Sequence, residues 1–417
     1  MRHMLSQTAK ADAAANRIVP KTVAKLQEAV REAHQQGEPL VIEGGNTLSG
    51  MGKAPTRAAR TLCTSALRKI HAYSFADLTI SVGAGITLRG LRSALAEHGQ
   101  FIPLDAPCAQ RATVGGTLAA GWLGPRRHLY GRPRDYVIGT QIVLADGTLA
   151  HAGGMVVKNV TGYDMSKLYI GSFGTLGILT SVNFKTLPAP QSARVFIAKL
   201  PENSRLRAIN AIAQLNVPPA AALWVYGFRK AIDGEDGNDG RIFILHEGSA
   251  ALIERASRDV RTALGRAGVP ETQIIDTGAL GAFDRILDAC SATIGQRSIT
   301  YRFSGNLDDA ETRLRATYVA THQSGLAAES LLDLMNGDLY ARISGKDAHA
   351  FCERIEALDD ALHVQIPKAV VVACESPIRQ VLNVWGSTPA ALDRMRAVKA
   401  TFDPAGTLNP GRFIGDI

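Results

Sequence analysis

Residues 42–52, IEGGNTLSGMG, place four glycines in eleven positions directly behind the apolar run PLVI. Backbone stripped of side chains at that density can approach another surface closely, and successive N–H groups in such a loop form a nest for an anion. Gly45 and Gly50 have the spacing that opens a Walker A loop, but Met51 stands where the lysine is needed. Adjacent glycines also rule out G-x-G-x-x-G. The KAPTRAAR that follows contains a proline and no apolar period, so no helix start is offered to a phosphate. By itself such a turn is more often a structural bend than a binding loop. Two further glycine-rich segments follow, TVGGTLAAGWLGPRRHLYG (113–131) and GSFGTLGILT (171–180). Three of them beside strands are best satisfied by one large flat ligand with a diphosphate, held by N–H groups at one end and an apolar wall at the other.

The elements that must position these loops follow from periodicity. KTVAKLQEAVREAHQQ (21–36) spaces Val23, Leu26, Val30 and Ala33 as an amphipathic helix that Gly37 ends, and PLVIEGG then reads as a buried strand. In LTISVGAGITLRGLRSALAEHG a strand leads to a helix with Thr87 as N-cap, a Leu88/Leu91/Leu95 stripe and Gly99 as the stop. IGTQIVLADGTLAHAGG alternates about an Asp-Gly pair, a hairpin signal. LPAPQS (187–192) marks a boundary. Beyond it, LWVYGF and RIFILHEG read as antiparallel strands around the polar turn AIDGEDGNDG. Two helices (ALIERASRDVRTALGRAG, DDAETRLRATYVATHQSG) and two strands (SITYRFSG, LYARISG) complete a second α+β unit. The tail FDPAGTLNPGRFI holds too much Pro and Gly for a helix.

Composition narrows the function classes. The 417-residue chain is 46% hydrophobic and 20% charged, ordinary for a soluble protein with room for more than one domain. Its net charge is +8, yet Lys and Arg are spread along the chain, which argues against nucleic acid. The densest basic cluster, Arg126, Arg127, Arg132 and Arg134, is assigned to a local anion or a partner surface. Five scattered cysteines with no CxxC exclude a zinc ribbon or an iron–sulfur site in this chain and read as reduced thiols of a cytoplasmic protein. No signal peptide or transmembrane segment is expected. Peripheral docking on an inner-membrane complex is compatible with that.

EGGNTLSGMG, TVGGTLAAGWLGPRRHLYGRPRDYVIG, MVVKNVTGYDMSKLYIGSFGTLGILT and FDPAGTLNPGR, in that order, resemble the FAD-linked oxidases of the vanillyl-alcohol oxidase (PCMH-type) superfamily. More narrowly, AGWLGPRR and KNVTGYD resemble the FAD-binding E subunits of bacterial glycolate oxidase. The resemblance implies an α+β fold: a PCMH-type FAD-binding domain of two α+β subdomains over 1–190, completed by 395–417, and a cap domain with an antiparallel sheet over 191–394. It implies that Gly44, Gly45, Asn46, Thr47, Leu48, Gly50 and Met51 meet the pyrophosphate. Pro107, Thr113, Val114, Gly115, Gly116, Ala119 and Gly121 would line the flavin. Gly162, Tyr163 and Ile178 would lie near the isoalloxazine or adenosine, and Asn409 would return to the same pocket. Relatives that attach FAD covalently often carry a histidine after the paired glycines. Asn46 stands there, so FAD is expected to be non-covalent.

In the family a hydride passes from Cα of an α-hydroxy acid to FAD. The substrate carboxylate then wants a forked cationic partner, and the resemblance points to Arg302 in SITYRFSG as that catalytic residue. A surface ion pair is the alternative role for Arg302. His128, His246 and His363 are available as bases, none in a recognisable motif. Relatives acting on D-2-hydroxy acids carry a metal-binding run like H-x-G-D-G-N-x-H, whereas this chain has LMNGDLYARI (334–343), so no metal site is expected. The implied role is an FAD-binding subunit oxidising a small 2-hydroxy acid beside a catalytic flavin subunit and an iron–sulfur subunit. A self-sufficient flavoenzyme for another hydroxy acid or alcohol, and a non-catalytic assembly subunit, are the alternatives.

Overall fold

The computed structural model describes residues 16–55, 60–155, 164–200, 204–228, 240–269, 272–276, 278–375 and 377–417. Its N-terminal part holds two main sheets. A parallel sheet runs in the order β1 (Arg17–Ile18), β3 (Arg60–Cys63), β2 (Leu40–Glu43). The helix Val23–Gln36 lies on it, and Leu26 and Val30 pack with Leu40, Leu62 and Ile178. Thr22 caps that helix by accepting from the Lys25 N–H, and Gly37, left-handed at φ 65°, ends it. An antiparallel sheet runs β4 (Ile70–Ser74), β5 (Thr79–Gly83), β9 (Ile178–Lys185), β7 (Val137–Val143), β8 (Leu149–Gly153). The pair β7–β8 turns at the predicted Asp-Gly, with Gly147 at φ 83°. The helix Leu88–Ala96 begins at Thr87, whose hydroxyl accepts from the Gly90 N–H. A short pair joins β6 (Gln100–Phe101) to β10 (Leu187–Pro188).

Residues 192–374 build one antiparallel sheet of eight strands. Its first half is β14 (Gln273–Ile275), β11 (Ser192–Lys199), β13 (Gly240–Gly248) and β12 (Ala221–Tyr226). The second half is β16 (Ala327–Asp333), β17 (Leu339–Ser344), β15 (Ser298–Phe303) and β18 (Ala369–Cys374). The two faces bury different cores, as a period of two demands. On the outer face Tyr301, Phe303, Ile242 and Ile244 pack under the helices Arg205–Ala213, Ala250–Arg266, Ala310–Gln323 and Ala348–Gln365. On the inner face Val225, Leu245, Leu331 and Tyr340 pack with Ile86, Leu118 and Trp122 of the N-terminal part and with the helix Ala279–Ser291. The predicted turn AIDGEDGNDG lies, up to residue 239, outside the described residues, as do Gly162 and Tyr163.

The chain's last segment returns to the beginning. Leu408 bridges Leu40 in parallel, the Leu40 N–H donates to Thr407 O at 2.7 Å, and Asn409 N–H donates to Leu40 O at 2.9 Å. The helix Leu392–Phe402 precedes it, and Lys399 Nζ donates to Thr175 O and Leu408 O.

Candidate functional site

The glycine loop between β2 and residue 52 is held against its neighbours by absent side chains. A Cβ on Gly44 would stand 2.1 Å from Thr113 Oγ1, and one on Gly45 would stand 1.7 Å from Arg111 O. At its far end the loop meets the sheet edge. Gly52 N–H donates to Val371 O, and a Cβ on Gly50 would come within 2.8 Å of Cys374 N. Two loops distant in sequence and an edge strand are therefore in backbone contact.

The same loop is one wall of a pocket. Gly44, Gly45, Asn46, Thr47 and Leu48 line it together with Thr113, Gly116, Ala119, Phe173 and Asn409. Among the described residues none of the backbone N–H groups of 45–49 meets an acceptor. Five consecutive unsatisfied donors in a bent loop make an anion nest. Three non-glycine residues with left-handed backbone stand around it: Asn46 (φ 56°), Phe173 (φ 56°) and Asn409 (φ 46°). Asparagine tolerates that conformation, whereas for phenylalanine it is an outlier that the surroundings must enforce. Asn409 supplies part of that enforcement, since its Oδ1 accepts from Ile42 N–H at 2.8 Å and its Nδ2 donates to Phe173 O at 2.6 Å. Trp385 and Phe413 pack on the Phe173 ring at centroid distances of 4.9 and 5.5 Å.

Several expected cofactor residues lie elsewhere. TVGGTLA is not a loop but a short helix, Val114–Ala119, capped by the Thr113 hydroxyl at Gly116 N–H. That helix turns Val114 into the core and sets Gly115 against Ala84, where a Cβ would meet the Ala84 Cβ at 2.7 Å. Gly121 (φ 62°) lets the chain pass Gly171 closely. Pro107 is buried, Met51 belongs to the core between the two halves, and Gly50 abuts β18. Ile178 packs beneath the helix Val23–Gln36, out of reach of the pocket, because it opens β9 on the face turned to that helix. Among the lining residues not expected from the sequence are Phe173, Arg379 and Arg412.

Arg302 stands on the inner face of β15, between Tyr301 and Phe303 that point outward. Its register partners are Tyr340 on β17 and Val370 on β18, and Tyr340 lies 6.1 Å, centroid to centroid, from Trp122 of AGWLG. Its Nε and Nη1 are buried without a hydrogen-bond partner. A guanidinium with two buried free donors beside an aromatic wall can take a carboxylate. Among the described residues no histidine stands on that strand face. His128 is exposed. His363 is engaged with Asp359 O and Ala369 O behind the sheet.

His246 is also behind the sheet, packed on Phe196 under the helix Ala250–Arg266, with both ring nitrogens unpartnered. Burial pushes it down to about 4 from 6.5. The folded imidazole stays neutral while the unfolded one takes a proton below about pH 6.5, so stability is full above that pH and is lost as pH falls toward 4. Between pH 7 and 5 the expected loss is about 2 kcal/mol. Chemical denaturation of wild type and His246→Phe across that range checks it, and an equal loss in both would remove His246 as the cause.

The segment from Trp122 to Tyr130 crosses the inner face of the eight-stranded sheet. Arg126 is buried between Asp105 (Nη2–Oδ1 2.6 Å) and Glu247 of β13 (Nη1–Oε1 2.9 Å). Burial alone would raise the Asp105 carboxyl, but Arg126 holds it below its usual value, whereas burial outweighs Arg126 at Glu247 and raises it. Arg127 reaches the β16–β17 turn, 2.9 Å from Asp338 and 3.6 Å from Asp333, and Asn336 Nδ2 donates to Pro125 O. Burial, opposed by Arg127, pushes Asp333 up to about 7. Half of the expected basic patch is thus consumed inside the molecule, because its partners lie on distant strands. The LMNGDLYARI turn holds an arginine between its carboxylates, and among the described residues no group of three His, Cys, Asp or Glu could hold a metal. No described helix is long and apolar enough to cross a membrane.

Comparison with known proteins agrees with this geometry. The family description "FAD binding domain" matches residues 14–153, and "FAD linked oxidases, C-terminal domain" matches residues 385–413. Both matched descriptions are of FAD-linked proteins, in agreement with an FAD site. Together these two matches span less than half of the chain, and its fold is one that PCMH-type oxidases among the solved structures share. It is 37% identical over 195 residues to glycolate oxidase subunit GlcE of Escherichia coli (strain K12), a match spanning 46% of this chain and 54% of that protein. It is 26% identical to glycolate oxidase subunit GlcD of Bacillus subtilis (strain 168), over 95% of this chain and 88% of the relative. Among solved structures, 4-ethylphenol oxidase from Gulosibacter chungangensis superposes with a TM-score of 0.72 at 16% identity, covering 95% of this chain and 88% of that one. The pocket fits the dinucleotide: its donor nest suits a diphosphate, and side chains on Gly44 or Gly45 would drive the loop off Thr113 and Arg111 and so displace that nest.

Proposed function

We propose that this chain is the FAD-binding subunit of a glycolate (2-hydroxy acid) oxidase or dehydrogenase complex, cytoplasmic or peripheral to the inner membrane. The observation that carries the substrate class is Arg302, with two buried free guanidinium donors on the inner sheet face. Bound FAD supplies a two-electron acceptor for the CH–OH group. Arg302 holds the substrate carboxylate in a forked contact, and Tyr340 with Trp122 forms the apolar wall that keeps water from it. The likeness to a glycolate oxidase subunit supports the same chemistry. Electrons then leave to a partner, because the chain has no CxxC pair for an iron–sulfur cluster. Catalytic flavin and iron–sulfur subunits are the partners this implies. Asn46, in place of the histidine to which related oxidases tether FAD, supports a cofactor released intact on denaturation.

The test is anaerobic mixing of the flavin-loaded chain with glycolate and D-lactate. Bleaching that needs the co-purified partners supports the subunit reading; rapid bleaching of the isolated chain would replace it with self-sufficient turnover. Arg302→Ala should keep FAD stoichiometry and lower kcat/KM for flavin reduction roughly 10- to 100-fold, the loss of a charge-assisted pair. An unchanged rate would take Arg302 out of the site.

A further inference from the structure

Arg379 and Arg412 enter the pocket from the C-terminal part of the chain. Arg379 sits in the turn Pro377–Gln380 that follows β18, and Arg412 ends LNPGR. Both donate to one carbonyl oxygen, Ser49 O, Arg379 Nη1 at 2.9 Å and Arg412 Nη2 at 3.1 Å. Their other contacts are also carbonyls, Cys374 O and Lys53 O. Neither makes an ion pair among the described residues, and Nε and Nη2 of Arg379 and Nε of Arg412 donate to nothing. Burial and the charge of Arg379 push Arg412 down to about 10, and Glu43 offsets only part of this. Two partly buried cations converging on one point repel, and such an arrangement is sustained by an anion between them. The unfilled donors of the 45–49 nest face the same pocket.

We infer that Arg379 and Arg412 form a cationic clamp on the diphosphate of the bound dinucleotide, beside the end of the backbone nest whose Ser49 carbonyl they hold. The inference rests on FAD occupying this pocket and adds to it a second, side-chain-built half of the anion site. The clamp ligand is a nucleotide diphosphate, so ADP is recognised without the flavin and riboflavin gains nothing from the arginines. It also joins the edge strand of the large sheet to the glycine loop through the ligand.

Calorimetric titration of the flavin-free full chain with FAD, ADP and riboflavin tests this in wild type, Arg379→Gln and Arg412→Gln. The expected result is a roughly 10- to 100-fold rise in Kd for FAD and ADP in each variant, with riboflavin unchanged. The salt dependence of ADP binding should flatten in both. Lysine at either position keeps the charge but loses the fork, and should restore part of the affinity even where glutamine disturbs folding. Equal weakening of FAD and riboflavin would mean that the arginines only hold the loop, and unchanged FAD binding that they do not touch the ligand. Either overturns the clamp. Wild-type protein that binds FAD but not ADP also overturns it. Wild-type protein that binds neither overturns the pocket assignment itself.

Discussion

Gly45→Val is expected to yield a folded protein that has lost its flavin. The new Cβ would stand 1.7 Å from Arg111 O, so the glycine loop and residues 111–113 must part. Overpacking of that kind costs about 1–3 kcal/mol in the unliganded protein. The larger effect falls on the ligand: displacing two nest donors from a diphosphate, at about 1.5 kcal/mol or more each, weakens FAD roughly 100-fold or beyond. Flavin absorbance per chain after desalting, with circular dichroism for the fold, measures both. Gly281→Ala is the control, since Gly281 lies in the exposed face of the helix Ala279–Ser291 with nothing within 4 Å of a new Cβ. It should retain full flavin. Equal flavin content in Gly45→Val and Gly281→Ala would sink the loop assignment.

Arg126→Met should be the most destabilising single change on the inner sheet face. It strands Asp105 and Glu247, both buried, without their shared cation. Removing one member of such a buried set costs about 3–5 kcal/mol, on the order of a 10 °C fall in Tm for a domain of this size. The triple variant Asp105→Asn, Arg126→Met, Glu247→Gln removes every charge at once and should recover much of the loss. A single variant as stable as wild type would show that the triad does not brace the two halves against each other.

Local chemistry was legible wherever its cause was local. Thr87 and Gly37 bound their helices as read, and the Asp-Gly hairpin formed where the alternation placed it. The paired glycines announced a close approach, although what they approach includes Arg111 and Thr113 as much as a ligand. Long-range pairing was not legible. Four arginines in nine residues read as a cluster for a local anion or a partner surface, since nothing near Arg126 or Arg127 in sequence reveals Glu247 or Asp338. Arg379 drew no notice because its turn carries no motif. His246 is open as a base until strand parity puts it behind the sheet, a choice that one residue of register decides, whereas His363 is there because its helix, Ala348–Gln365, packs on that outer face.

Asn409 holds Ile42, 367 residues before it, and Phe173, 236 residues before it. A growing polypeptide at ~5–20 residues per second therefore presents an unfinished cavity for most of its synthesis. Loading with the prosthetic group therefore waits until the segment around Asn409 has been made and has folded back onto β2.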